Sequence, residues 1–257
     1  MPGDISLPLS TLFGFLLVLA RVSGVVIFVP IPGFQSAPET ARVALALALS
    51  VILMPVWPVS RIDGAGVGSM PAKIGAEFAY GLILGLGVTF LMEGAQIASQ
   101  MIGLQAGYSF ASTIDPTTQA DSGVLQIIAQ LLVGSLFFAL GLDREIIRVL
   151  AFSLQRRGGI ETLSNPSIAN ALIQLGSQMF VVGLRLAMPV LALLILMDLS
   201  FAIMGKVHAQ FQVLSLSFAA KMLAGLGLMA ITLAAFPSIT QGAASRTFHV
   251  LVSLVAK

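Results

Sequence analysis

Cysteine is absent from the 257-residue chain, and histidine occurs only twice. The lack of cysteine excludes disulfides, thiolate metal sites and thiol catalysis. His208 and His249 stand far apart with no acidic cluster beside either, so we expect neither metal binding nor acid–base catalysis from them. The patterns of serine hydrolases, phosphate-binding loops and zinc proteases are also missing. The sequence therefore predicts no catalytic residue, no metal and no cofactor.

Charged residues are scarce as well. They make up 9% of the chain, whereas soluble domains typically carry about 25%. Hydrophobic residues reach 57% and the mean hydropathy is +1.00. The net charge of +2 is too small to indicate a nucleic-acid partner. This composition is typical of an integral membrane protein.

Six runs with few or no charges recur along the chain, each near or above the ~18 to 20 residues that a helix needs to cross ~30 Å of hydrocarbon. They are Leu7 to Pro30, Val43 to Ser60, Phe78 to Ile114, Ser122 to Leu142, Leu172 to Ile203 and Met222 to Ser245. We therefore predict an all-α, polytopic membrane protein of about six long, kinked helices arranged as helical hairpins. The first helix is expected to be retained, because no basic region precedes it.

The predicted organisation is a single membrane domain over residues 1–257. It comprises N-terminal hairpins in 1–104, a loop in 105–123 and C-terminal helices in 124–257. The longest polar connection runs from Asp143 to Asn170, and a short C-terminal segment follows from Arg246. Pro189 is expected to bend or break the fifth helix, because proline cannot donate a backbone hydrogen bond.

A polar and glycine stripe follows one face of the predicted third helix. Its members are spaced alternately by three and four residues: Glu93, Gln96, Gln100, Gly103 and Gly107. Carboxyl and amide groups cost several kcal/mol in hydrocarbon unless they are compensated. The stripe is therefore expected to face a water-filled lumen or another protein. A loop with Asp115-Pro116 at its turn follows, which is typical of part of a pore.

Ionisable residues inside or at the edge of apolar helices are rare and are usually paired or functional. Six occur here: Arg21, Glu77, Glu93, Arg185, Asp198 and Lys221. A hairpin that turns near Ala209 places Asp198, eleven residues before it, level with Lys221, twelve after it. We predict that these two residues pair. A salt bridge that only fixes the hairpin register is favoured over a proton relay, since a relay needs a chain of such groups.

Three groups of residues occur in a recognisable order. The first is Arg21, Gly24, Pro30, Pro38 and Arg42 with an apolar run to Pro55. The second is Gly94, Gly103, Gln105, Gly107, Ser109, Phe110, Asp115 and Pro116. The third is Val207, Gln210, Val213, Lys221 and Gly225. In this order they resemble the FliR family of flagellar export-gate membrane proteins, whose injectisome counterpart is the SctT group. Lys206, Ala209 and Gln212 depart from the family's arginine, proline and asparagine.

The resemblance implies a non-enzymatic subunit that forms a pore with FliP-like and FliQ-like subunits and passes unfolded proteins across the bacterial inner membrane in the flagellar basal body. It implies contact with membrane lipid and an FlhB-like neighbour near the hairpin turn, at Lys206, Gln210 and Gln212. It also implies that the loop in 105–123 plugs the closed pore. The plug residues would be Gly107, Tyr108, Ser109, Phe110, Ile114, Asp115 and Pro116.

Three other interpretations stay open at this point. A small-solute transporter would account for the buried charges, but it predicts inverted repeats and paired broken helices, of which only Pro189 is a sign. An intramembrane enzyme would need a nucleophile and a base, which the sequence lacks. An injectisome subunit would share the family pattern with a flagellar one.

Overall fold

The computed structural model describes residues 9–28, 38–57, 70–108, 124–155, 166–207 and 213–256. Within these ranges the chain folds into seven α-helices and one 3-10 turn, Met54–Val56, with no strand. The helices are α1 Leu9–Phe28, α2 Glu39–Ile52, α3 Met70–Ala106, α4 Val124–Ala139, α5 Leu142–Gln155, α6 Pro166–Val207 and α7 Val213–Ala256. The predicted all-α class is confirmed.

Three of the described helical segments are long and apolar enough to cross a membrane: Ser10–Phe28, Met70–Ala106 and Pro166–Val207. α3 has 37 residues and α6 has 42. At ~1.5 Å per residue these helices are about 55 and 63 Å long, well beyond the ~30 Å of a hydrocarbon core. The structure therefore has the long apolar helices of a membrane protein.

The second apolar run does not form the long helix predicted for Val43 to Ser60. α2 ends at Ile52 after 14 residues, and a 3-10 turn with Pro55 follows. The residue before a proline is disfavoured in the α conformation, which explains the early end. The Trp57 indole then donates a hydrogen bond to the carbonyl of Ser50 at 2.8 Å and holds the turn against the helix.

The prediction of one polar connection from Asp143 to Asn170 was wrong at both ends, because α5 covers its start and α6 begins at Pro166. Residues 142–155 form α5, an amphipathic helix that buries Val149, Leu150, Ser153 and Leu154. These positions are spaced as one helix face requires. Asp143 lies in the first turn, where a negative charge is favourable for a helix. The charges therefore mark an amphipathic helix with one buried face and one exposed, charged face.

The last two helices are longer than predicted. α6 continues through Pro189 without a break, and α7 continues through Pro237 and past Arg246. The separate C-terminal segment expected from Arg246 was therefore wrong, and of the bend or break expected at Pro189 the break is excluded. Proline is tolerated inside membrane helices when neighbouring groups satisfy the carbonyl that it leaves unpaired.

The described chain divides into two compact units, one formed by residues 1–90, 141–176 and 245–257 and the other by residues 91–140 and 177–244. In the first unit, glycines let α1 and α3 approach closely. A Cβ on Gly81 would lie 2.1 Å from the carbonyl oxygen of Arg21, and one on Gly24 would lie 2.4 Å from that of Phe78. No other residue type fits such contacts between helix backbones.

Arg21 ties three helices of the first unit together. The residue is 2% exposed, and its Nε donates to Glu77 Oε2 at 2.6 Å. Nη1 donates to the carbonyl and, at 3.1 Å, to the hydroxyl of Ser153. The guanidinium carbon also lies 4.9 Å from the centre of the Tyr80 ring. Two of the six ionisable residues in apolar helices therefore neutralise each other, a pairing that the sequence analysis missed.

Candidate functional site

The candidate site lies in the second unit, at the end of α3, where the predicted plug begins. Gly107 has a φ of +90°. The N–H of Tyr108 donates to the carbonyl of Gly103 at 2.9 Å, and that of Gly107 to Leu104 at 3.2 Å. This pair of bonds is a Schellman cap, which needs a left-handed residue after the helix. Only glycine adopts that conformation without strain, so Gly107 ends α3.

This cap corrects the predicted polar stripe. Gly107 lies beyond the helix, so it does not continue the face formed by the other four members. Glu93 and Gln96 are half-buried in α3, Gln100 is exposed and Gly103 is buried. Within the described ranges no side chain pairs with the Glu93 carboxylate. The interpretation of Glu93, Gln96, Gln100 and Gly103 as a face toward a lumen or a partner stays a prediction.

The first two residues of the predicted plug are held against α7. The Tyr108 hydroxyl donates to the carbonyl of Met222 at 2.9 Å. A phenol is protonated at physiological pH and can donate, and desolvation raises the pKa of Tyr108 further above its ordinary value. A Cβ on Gly107 would lie 3.2 Å from the Phe218 ring, and one on Gly225 would lie 2.9 Å from the Ala106 side chain. The end of α3 therefore fits closely against α7.

A polar cluster joins three helices beside this contact. Lys221 Nζ lies 2.8 Å from Asp198 Oδ1, so the two residues that hairpin spacing places level do form an ion pair. Gln105 Nε2 donates to the second carboxylate oxygen of Asp198 at 2.8 Å. Lys221 Nζ also lies 5.6 Å from the centre of the Phe218 ring. Through this cluster α3, α6 and α7 are fixed to one another at the start of the predicted plug.

Gln105 and Phe218 are the members of the cluster to which the sequence analysis gave no role. Phe218 precedes Lys221 by three residues and thus shares its helix face, which is a usable signal. Gln105 lies off the polar stripe of α3, and no spacing rule relates it to Asp198, 93 residues away. Its role follows only from how α3 and α6 pack.

The remaining predicted site residues are placed as follows. Lys206 is exposed at the end of α6. Seven others lie outside the described residues: Ser109, Phe110, Ile114, Asp115, Pro116, Gln210 and Gln212. In the part of the chain that is described, no group of histidine, aspartate and glutamate side chains could hold a metal ion.

Residues 12–247 match the protein family described as Bacterial export proteins, family 1. The match covers most of the 257 residues. The chain belongs to this family. The family resemblance drawn from the sequence is confirmed.

Curated relatives of this export-family chain carry the name flagellar biosynthetic protein FliR. The Escherichia coli K12 protein is 26% identical over 241 residues, covering 93% of this chain and 91% of its own. The Bacillus subtilis 168 protein is also 26% identical, covering 94% of each chain. The Caulobacter vibrioides protein is 25% identical, covering 84% of this chain and 87% of its own. The relatives are thus matched over nearly their full length.

Proposed function

We propose that this FliR-family chain is a non-enzymatic membrane subunit of the flagellar type III export gate, which passes unfolded flagellar proteins across the bacterial inner membrane. The observation that carries the proposal is the family match over residues 12–247, together with full-length relatives named as flagellar biosynthetic proteins. The three long apolar segments support a place in the membrane.

In this proposal the chain forms the export pore together with FliP-like and FliQ-like subunits, and the turn between α6 and α7 meets an FlhB-like subunit. Large apolar side chains are exposed along α6, among them Phe180, Met188 and Leu199. They require lipid or partner helices around them. The exposed Lys206 would lie at the FlhB-like contact, near Gln210 and Gln212.

The loop that begins at Gly107 is proposed to plug the closed pore. Support comes from its anchored start, because the cap at Gly107 and the hydrogen bond from Tyr108 to Met222 fix where the loop leaves α3. The loop carries no basic residue, so apolar contact through Phe110 and Ile114 is the seal available to it. A plug of this kind needs a fixed attachment to its helix and apolar side chains that exclude water from the pore.

The transporter alternative loses the one sign of a broken helix that the sequence offered for it. That sign was Pro189, and α6 continues through this residue. Transporters of that kind build their substrate sites from discontinuous helices. The flagellar names of the relatives favour a flagellar over an injectisome assignment.

Co-purification from the native bacterium tests the proposal. A tag on this chain, extracted in mild detergent, is expected to recover the FliP-like and FliQ-like subunits in one complex, and deletion of the gene is expected to abolish flagella. The chain expressed alone is expected to be polydisperse by size-exclusion chromatography with light scattering, because its polar and apolar faces lack partners. A stable, monodisperse monomer that recovers no partner would overturn the assignment.

A further inference from the structure

One face of α6 is uncovered in the second unit over about five turns. Exposed residues recur on it at alternating spacings of four and three: Val181, Arg185, Met188, Ala192, Ile195 and Leu199. This mean spacing of ~3.6 residues equals the repeat of an α-helix and keeps them on one straight face, along which another helix can pack. We call these six residues the outer α6 face. The opposite side of the helix, with Gly183, Ala187 and Val190, is buried in the chain.

Arg185 is the one charged residue on the outer α6 face. Its side chain is exposed, and among the described residues no carboxylate pairs with it. Large apolar side chains flank it in both directions along the helix. Val181 is 44% and Leu184 48% exposed on one side, and Met188 is 52% and Ile195 57% exposed on the other. Arg185 therefore stands inside an apolar surface.

Neither water nor lipid alone can cover this surface favourably, because it combines apolar side chains with one charge. Water around Arg185 would leave the four apolar side chains uncovered on both sides of it. Hydrocarbon would cover them but would leave a guanidinium without a counter-charge, which is unfavourable at the centre of a membrane helix. A lipid headgroup could meet Arg185 only at the bilayer surface, where the apolar residues on one side of it would lie outside the hydrocarbon.

We propose that the outer α6 face binds an apolar helix of a partner subunit that carries a single carboxylate level with Arg185. Such a helix covers the apolar residues and offers the planar, two-oxygen acceptor that a guanidinium fits best. Ala192, two turns from Arg185, allows close approach of the partner helix. The inference rests on the proposed function, since it requires that the chain assembles with other membrane subunits.

Photo-crosslinking in the assembled complex, within native membranes, tests this surface. A photoreactive p-benzoylphenylalanine replaces Met188 in one variant and Leu193 in a control. Leu193 is also exposed and apolar, but it lies about 140° around the helix from Met188 at ~100° per residue. We expect the variant at position 188 to crosslink to a partner subunit, and the crosslinked partner segment to be an apolar helix with one Asp or Glu.

The decisive readout is the dependence of this crosslink on the charge at position 185. Arg185→Leu and Arg185→Glu are expected to lower it by about tenfold or more, because each leaves a buried carboxylate uncompensated. Arg185→Lys should retain more of it than Arg185→Leu, and crosslinks from position 193 should not change. Replacing the partner's acidic residue with arginine should restore the crosslink in the Arg185→Glu background. Crosslinks are normalised to the membrane level of each variant, so that loss of the contact is measured separately from loss of the chain.

Two results overturn the inference while leaving the proposed function intact. One is a complex that retains its partners but gives only lipid adducts at position 188. The other is a crosslink at position 188 that is unchanged by both Arg185→Leu and Arg185→Glu. A chain that recovers no partner subunit at all would overturn the proposed function and this surface together.

Discussion

Lys221 and Asp198 form an ion pair of 2.8 Å between consecutive helices, α6 and α7. The two side chains differ in exposure, 13% for Lys221 and 40% for Asp198. Their described polar and aromatic neighbours are the Gln105 amide and the Phe218 ring, and neither of these titrates. This composition supports a structural pair over a proton relay, because a relay needs further ionisable groups in sequence. The pair also reaches α3 through Gln105, so it fixes more than the hairpin register.

Replacing either residue of this pair should destabilise the assembled chain, and replacing Asp198 should cost more than replacing Lys221. Asp198→Asn leaves the more buried Lys221 without an anion, whereas Lys221→Met leaves a half-exposed carboxylate that still accepts from Gln105. We expect each cost to fall between the ~0 to 1 kcal/mol of exposed pairs and the ~3 to 5 kcal/mol of broken buried pairs, with Asp198→Asn the larger. Recovery of the intact complex and its thermal stability measure this.

The double variant provides the control for that prediction. Asp198→Asn with Lys221→Met removes both charges and should recover part of the lost stability, since no unpaired charge remains. Losses that simply add would show that the two residues do not interact in the assembled protein.

Because α1 and α3 approach closely, Gly81 should tolerate substitution by alanine far less well than a glycine of α3 that has open space around it. In Gly81→Ala the new Cβ would meet the Arg21 backbone at 2.1 Å, so the helices must separate and the bonds from Arg21 to Glu77 must loosen. The matched control is Gly75→Ala, where nothing lies within 4 Å. It should be neutral or stabilising by about 0.5 to 1 kcal/mol. Equal membrane levels and melting temperatures for the two variants would contradict this packing.

The cap at the end of α3 predicts a specific effect of Gly107→Ala. An L-residue at this left-handed position costs about 1 to 2 kcal/mol, and its Cβ would also press on the Phe218 ring at 3.2 Å. Gly141→Ala is the control, since Gly141 has a φ of +66° but no atom within 4 Å of a new Cβ. Both variants should lose some stability, but only Gly107→Ala should raise ion leakage. Leakage from neither would indicate that the cap does not position the plug.

Removal of the proposed plug should raise leakage through the membrane more than it lowers assembly of the complex. Deleting Tyr108 to Thr113, or making Phe110→Gly, is expected to leave the complex intact and to raise the flux of ions or small solutes through the membrane, because the apolar seal is lost. Export should fall less than leakage rises, since an open channel still passes substrate. Normal assembly with wild-type flux would show that the loop only joins two helices.

The sequence by itself determined the class of this protein and one of its contacts. Helical hydrogen bonds are local, and apolar runs in a membrane chain can satisfy them only as helices, so the all-α class follows from composition and run length. The pairing of Asp198 with Lys221 follows from the position of the polar turn between two helices. Helix ends were less predictable, because Pro55 ended α2 early whereas Pro189 was accommodated inside α6.

Only the tertiary structure decided which distant residues meet and which faces stay uncovered. Arg21 finds Glu77 and Ser153 at separations of 56 and 132 residues, and no local spacing encodes either contact. Gln105 reaches Asp198 for the same reason. Arg185 has the sequence signature of a buried charge, yet α6 turns it outward, because its small and apolar residues at 183, 187 and 190 take the inner face. Which side of a helix is covered depends on the helices packed against it.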